Sequence, residues 1–468
     1  MKLSVRGAAL AALGTALLGS TALAADPVQP TPEEALNLSL GATAGVWISN
    51  LPDYNAYYTD DGPVGLDDPT IGVQLGLSGS VALGNYDDWA MSLGLSGFVG
   101  YGQRSLNQTQ TFDGQGYVII PGITLPPGAM ELEARWGDAA PDSSDNTANV
   151  TDGVILANAA GTNADGALNV AAVTIGAGPS FVYSAFNSQQ DNGPANGAAS
   201  YGAIATPEGG LFVGVGDLTG LEITTSIVQE TLSAGGDLTI AFAKGLDETS
   251  AIQAYTGPSY RMLGQRGSKD VTVDIPEIAP FTPGFEFPTY AMSTEEELLT
   301  HYAGAVVGVS YSHLITDGIV FNVGAELGAY YAATSYSGSE TYSVFGGEAT
   351  DGLGVPIGPI AATTVTNDGL EIDENGIAWA ARGSASISVA IADNMQVVFT
   401  GTGEYLSRAA GISHDDALAA VVIGAPAGLG ADETGTTADY AGGGGGGTSL
   451  SYSGVWNFGG SVSLVGQF

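Results

Sequence analysis

The sequence has no cysteine, only ten basic residues against 49 acidic ones, and three histidines among 468 positions. Each shortage closes a route. Without cysteine there is no disulfide framework, no thiol redox motif and no zinc–thiolate site. A formal net charge of −39 removes nucleic acid as a partner, because phosphates are neutralised by clustered Lys and Arg. Glycine-rich nucleotide loops are missing as well. Helical periodicity is nearly absent. After the first two dozen residues no apolar run is long enough to cross a bilayer as a helix. Any membrane crossing must therefore be made by strands.

What is present begins with residues 1–24. Lys2 and Arg6 precede an apolar stretch from Ala8 to Leu18, and Ala22-Leu23-Ala24 supplies small residues at a cleavage position. That pattern is a secretory signal. Residues 25–36 read as a short periplasmic leader and 37–468 as one β domain. Glycine, at 71 residues, suits a barrel whose inner face is small.

Period-2 alternation recurs along the rest of the chain. It predicts about twelve antiparallel strands at 37–49, 71–84, 89–102, 148–160, 167–184, 221–246, 251–264, 300–314, 319–336, 375–392, 395–409 and 449–468. The connectors alternate between short turns, each with an Asp, and long segments. Short periplasmic turns and long extracellular loops are the asymmetry expected of a transmembrane up-and-down β-barrel. Segment 148–160 is polar for a lipid-facing strand. Segment 221–246 is long enough either to rise above the membrane or to be two strands.

The last strand is the clearest. Trp456, Phe458, Val462, Leu464 and Phe468 fall on one face, with Ser461, Ser463, Val465 and Gln467 on the other. This ending, behind a secretory signal, resembles the C-terminal strand of Gram-negative outer-membrane β-barrel proteins of porin-like type. The resemblance implies an outer-membrane location and contact with lipid and lipopolysaccharide. It also implies recognition of Phe468 by the barrel assembly machinery.

Register then sorts the faces. Ile71, Val73, Leu75, Leu77, Val81 and Leu83 face lipid, as do Ile377, Trp379, Ile387, Val389 and Ile391. Small and polar residues are left inside. The same parity turns Arg104, Arg261, Arg382 and Arg408 inward, together with Glu326 and Glu404. A charge on the lipid face would cost about 2–4 kcal/mol at mid-depth, so inward placement is expected whether these groups brace the wall or select ions. Arg408 and Glu404 share a face but lie about 13 Å apart along one strand, so each needs a partner elsewhere.

Most acidic residues fall in the long loops. Asp60, Asp61, Asp67 and Asp68, and separately Glu371 and Asp373, are spaced so that carboxylates could share Ca2+ or Mg2+, though neither segment completes an EF-hand. No other cofactor is implied. Phe281, Phe285, Phe287 and Tyr290 give the fourth long loop enough aromatic weight to plug the lumen or cap the mouth. An enzyme is not expected: His301 and His313 take lipid-facing parity, and only His414, in Ser413-His414-Asp415-Asp416, stands at the rim. The sequence is read as a passive channel for small hydrophilic solutes with an Arg-lined upper lumen. Its alternative is a structural or surface-interaction barrel whose acidic loops bind a partner, divalent cations or lipopolysaccharide.

Overall fold

The computed structural model describes residues 38–126, 130–137, 143–150, 158–160, 167–175, 178–187, 197–275, 287–350, 356–359, 362–414, 421–423, 435–440 and 445–468. The proposed signal, the leader, and Phe281, Phe285, Asp415 and Asp416 lie outside them. Ten antiparallel strands close a ring: β1 (Leu38–Ser49), β2 (Thr70–Tyr86), β3 (Trp89–Thr111), β4 (Glu222–Gly245), β5 (Ser250–Asp274), β6 (Thr289–Thr316), β7 (Ile319–Phe345), β8 (Thr363–Ala392), β9 (Met395–Ser413) and β10 (Ser449–Gln467). β1 closes it by pairing with both β2 and β10. Leu38 and Phe468 exchange backbone hydrogen bonds of 3.1 and 2.9 Å at the seam.

The ring uses ten of the twelve expected segments. Residues 143–150 and 158–160 pair in a separate five-stranded sheet, and 167–175 and 178–187 lie in a seven-stranded one. The long segment at 221–246 is a single strand, Glu222–Gly245, that rises past the membrane.

One end of the ring carries tight turns at 87–88, 246–249, 317–318 and 393–394. Asp87 (φ 55°) and Gly318 (φ 85°) supply the left-handed backbone that two of these need. Asp247 accepts from the backbone and hydroxyl of Thr249 at 2.8 and 2.9 Å, fixing a third.

The outer surface of the ring is an apolar belt between two girdles. Ile71, Val73 and Leu75 are more than half exposed, as are Val307, Leu327 and Ile377. Tyr86, Tyr311 and Phe468 flank the belt near the short turns. Tyr101, Tyr260, Tyr331, Trp379 and Trp456 flank it on the other side. Tyr405 sits between Trp379 and Trp456 with ring centroids 5.0 Å from each. From Phe321 to Tyr331 is about 33 Å along β7, or about 25 Å of membrane depth at the usual strand tilt. The belt and its girdles make the chain a transmembrane-type antiparallel β-barrel, with its short turns and the Leu38–Phe468 contact at the same end.

Above the belt β4 to β8 continue as a wall, and the polarity of the two faces exchanges while the register does not. On β5 the odd residues point inward throughout. They run from Arg261 through Gln265 and Lys269 to Val271 and Val273, which are buried. The outer face turns to hydroxyls, with Thr109–Thr224 and Ser343–Thr364 paired at 3.1 and 3.0 Å. Water outside and a core inside explain the exchange.

That core is shared with a cap. Tyr54–Thr59, Gly62–Leu66, Gln115–Pro121, Gly197–Thr206 and Gly209–Asp217 belong to the seven-stranded sheet, which lies over the mouth. Tyr57, Val118, Ile120, Tyr201 and Phe212 from the cap pack with Ile223, Ile227, Val273, Tyr290 and Tyr342 from the wall. Phe287 and Tyr290, two of the fourth loop's aromatics, are part of this cap core.

Candidate functional site

Small inward residues and a polar lining leave the middle of the lumen to a few charged side chains. Arg261, 8% exposed, reaches across from β5 to Glu404 on β9 and lies 3.4 Å from Glu326 on β7. Its guanidinium also stands 5.6 Å from the Tyr330 ring centre. Arg382 is in cross-strand register with both Glu326 and Glu404, yet among the described residues it makes no hydrogen bond or ion pair. Tyr255 donates to Glu326 at 3.0 Å. Its path runs over Gly308, where a Cβ would come within 2.2 Å of the Tyr255 ring. Any larger residue at 308 would block that bond.

Two more bonds cross the lumen higher up. Tyr302 donates to the Arg408 carbonyl at 2.8 Å, and Gln265 to the Ala410 carbonyl at 3.0 Å. An apolar cluster that includes Tyr302, Val306, Tyr330, Leu406 and Val455 lies at and below the Tyr302 bond. A ten-stranded ring is only slightly wider than the eight-stranded type that side chains fill. These bridges divide the lumen and leave only small cavities between them.

The other two arginines lie apart from this cluster. Arg104 is buried, and its Nε, Nη1 and Nη2 donate to Gln229, the Asp68 carbonyl and the Pro52 carbonyl at 2.7, 2.8 and 2.6 Å. Both terminal nitrogens are committed to the loop joining β1 and β2, and Nε to Gln229 on β4. Arg408 lies over the Tyr452 ring at 3.4 Å and 4.0 Å from Glu374. The expected quartet therefore resolves into one central pair, Arg261 and Arg382, and two arginines held by loops and neighbouring strands.

A second buried constellation locks the cap to the wall. Lys269 pairs with Glu296 at 2.8 Å, with both side chains almost fully buried. Glu296 also accepts from Tyr54 at 2.5 Å and Tyr336 at 2.8 Å. Lys269 lies 3.4 Å from both the Asn55 carbonyl and His414 Nε2. His414 is 2% exposed, so the one rim histidine is engaged in this lock. His301 and His313 stack on Tyr260 and Tyr311 at the upper and lower girdles.

Sequence reasoning overlooked Lys269, Glu296 and Glu340. Lysine is the signal it had: Lys269 is one of three in the chain. Glu340 accepts from the Ile123 amide at 2.7 Å and from Asn367 at 3.1 Å, tying the cap to β7. Burial pushes its carboxyl up to about 7. A raised folded-state value means that Glu340 contributes stability fully below its unfolded value of about 4.3 and loses it as pH rises through 7. The cap should therefore be weaker at pH 8 than at pH 5 by about 3 kcal/mol. Urea unfolding followed by near-UV dichroism of the buried tyrosines reads this. Glu340→Gln should remove the slope, and a slope that persists in that variant assigns it elsewhere.

Asp60, Asp61, Asp67 and Asp68 lie in the cap loop, whereas Glu371 and Asp373 are exposed on outer β8. Among the described residues no group of three or more His, Asp or Glu converges in a way that could hold a metal.

No family model matches this chain, and no curated protein does. Solved structures similar to it include the outer membrane protease OmpT of Escherichia coli, at 8% identity and TM-score 0.30 over 92% of this chain and 95% of that one. A Pseudomonas aeruginosa FadL homologue gives 7% identity and TM-score 0.20 over 92% and 90%. The Pseudomonas putida toluene transporter TodX gives 7% and 0.22 over 93% and 90%.

Proposed function

We propose that this barrel is closed at rest and serves as an outer-membrane anchor that presents its β-structured cap at the cell surface. The observation that carries this is the filled upper lumen. Arg261 and Glu404 bridge it at mid-depth, an apolar cluster lies alongside, and the cap core covers the mouth. A passive channel for small hydrophilic solutes, with Arg261 and Arg382 as its selecting charges, would require both obstructions to move. In this reading catalysis has no part. The outer wall above the girdle, with exposed Glu295, Glu297, Glu371 and Asp373, would meet lipopolysaccharide through divalent cations.

The test is conductance of the refolded protein in a planar bilayer. The anchor reading expects no steps from the intact chain. Discrete steps with a salt-gradient reversal potential set by charge would restore the channel.

The Phe468 ring is 71% exposed on the outer face, while its backbone alone closes the seam. Phe468→Ala should therefore cost the refolded barrel only the lipid contact of one ring, about 1–3 kcal/mol, but sharply reduce the amount assembled in the outer membrane of living cells. Equal assembly of both forms would remove the proposed role of Phe468 in recognition.

A further inference from the structure

We propose that the closed lumen holds a binding site for a neutral, ring-sized molecule carrying an oxygen acceptor, reached from the periplasmic side. Beside the Arg261–Glu404 bridge lies a cavity of about 150 Å³. A cavity of about 150 Å³ lined by apolar side chains accepts benzene, so one six-membered ring fits. Trp47, Leu263, Tyr302 and Leu406 give this one an apolar wall, Gln74, Thr402 and Asn457 lie on its polar side, and Arg261 and Arg382 border it.

The polar groups set the ligand's chemistry. The Nε of Arg261 is buried and has no partner among the described residues, and Arg382 makes no ion pair there. The Arg261 Nε is sealed within the wall, so Arg382 is the donor that faces the cavity without an acceptor, and a guanidinium has no acceptor of its own. An occupant must therefore bring an oxygen that accepts. Charge sets the rest. Arg261 and Arg382 face three carboxylates, Glu326, Glu404 and Asp237, so an added carboxylate would deepen an uncompensated negative charge in a low-dielectric lumen. A hydroxyl or carbonyl satisfies that donor without that cost.

Access is on the same side as the short turns. A second cavity of about 60 Å³, lined by Ser96, Asp237, Glu326, Ser384 and Ser386, shares Arg382 with the first. Arg382 stands between a polar lower lumen and the ring slot. Binding there leaves the cap in place, so the site is compatible with a barrel closed to the outside.

Phenol is the probe, titrated calorimetrically into the refolded protein in detergent, with empty micelles as the blank. Saturable one-to-one binding is expected, with benzoate and benzene each at least about tenfold weaker. Thr402→Phe, which fills the slot beside Gly459 and leaves both ion pairs intact, should abolish saturation. Arg382→Met should weaken phenol about tenfold. Linear uptake equal to that of micelles, or the same isotherm in Thr402→Phe, overturns the site. Benzoate binding more tightly than phenol overturns the neutral class. Circular dichroism of each variant confirms that the barrel has formed.

Discussion

Glu404→Ala should lower the unfolding free energy of the refolded barrel by about 3–5 kcal/mol, the usual cost of stranding one member of a buried ion pair. Arg261 is deep in the lumen, and Glu404 is one of two carboxylates on it, the other being Glu326 at 3.4 Å. Its removal leaves a guanidinium half-compensated where water is scarce. Arg382→Ala is the matched control, because Arg382 shares the same ring of residues without being paired. Its loss should cost less than about 1 kcal/mol. The two effects are read from urea unfolding in lipid vesicles. Equal effects would mean that the charges act as a diffuse set and that the Arg261–Glu404 bridge has no special part in closing the lumen. Pairing Arg261→Met with Glu404→Leu should recover much of the loss, since replacing both partners removes the stranded charge.

Lys269→Ala should loosen the cap by a comparable amount while leaving the membrane belt intact. Burial alone would raise the Glu296 carboxyl, but the nearby Lys269 ammonium, His414 and the hydrogen bonds to Lys269 and Tyr54 outweigh it and hold the group below its ordinary value. A depressed folded-state value contributes stability above the unfolded value of about 4.3, and that contribution is lost as pH falls through the folded value. The wild-type lock should therefore fail in acid. Without Lys269 the burial effect is left in command, Glu296 titrates higher, and the cap of the variant should be tighter in acid than at neutral pH. Protease nicking of Tyr54–Thr59 against pH reads both. A variant with the wild-type pH trend would show that Glu296 is held by something other than Lys269. Glu340 carries the opposite sign, so the intact cap should be firmest between the two transitions, in mildly acidic solution.

The membrane-spanning part of this fold was legible because the bilayer writes a strict code. Leu75 out and Gln74 in, or Trp379 out and Ala378 in, can be read without coordinates, and the terminal Trp456–Phe468 face is where alternation placed it. The wall above the girdle was harder to read. Val271 and Val273 keep the inward register of Arg261, but their polarity has changed over. A reader following apolar-out alternation ends β5 at 264, ten residues short of Asp274. The same reader takes 148–160 and 167–184 for barrel strands, because a cap strand alternates just as a lipid-facing one does. Length asymmetry was the better guide, since all four short turns that join ring strands were expected, although a fifth, at 161–166, was expected between segments outside the ring and lies outside the described residues.

The charged groups divide in the same way. Parity turned Arg261, Arg382, Glu326 and Glu404 inward and said that Glu404 needed a partner from another strand or a loop. That the partner is Arg261, four strands away around the ring, depends on the shear and diameter of the closed barrel, which no local pattern carries. Arg104 shows the limit most plainly. Its parity is inward, but its neighbours are the carbonyls of Pro52 and Asp68, brought to it by a loop whose path depends on packing of the whole cap. Lys269 and Glu296 were hidden for the same reason, since their burial exists only once Tyr54 and His414 arrive from distant segments.

The measurement that bears most directly on the closed-barrel account is single-channel recording of the intact, correctly folded protein in a planar bilayer. The account predicts a silent barrel whose insertion is verified independently by protease protection of the membrane belt. Discrete conductance steps from the wild-type chain, at neutral pH and without denaturant, would contradict it.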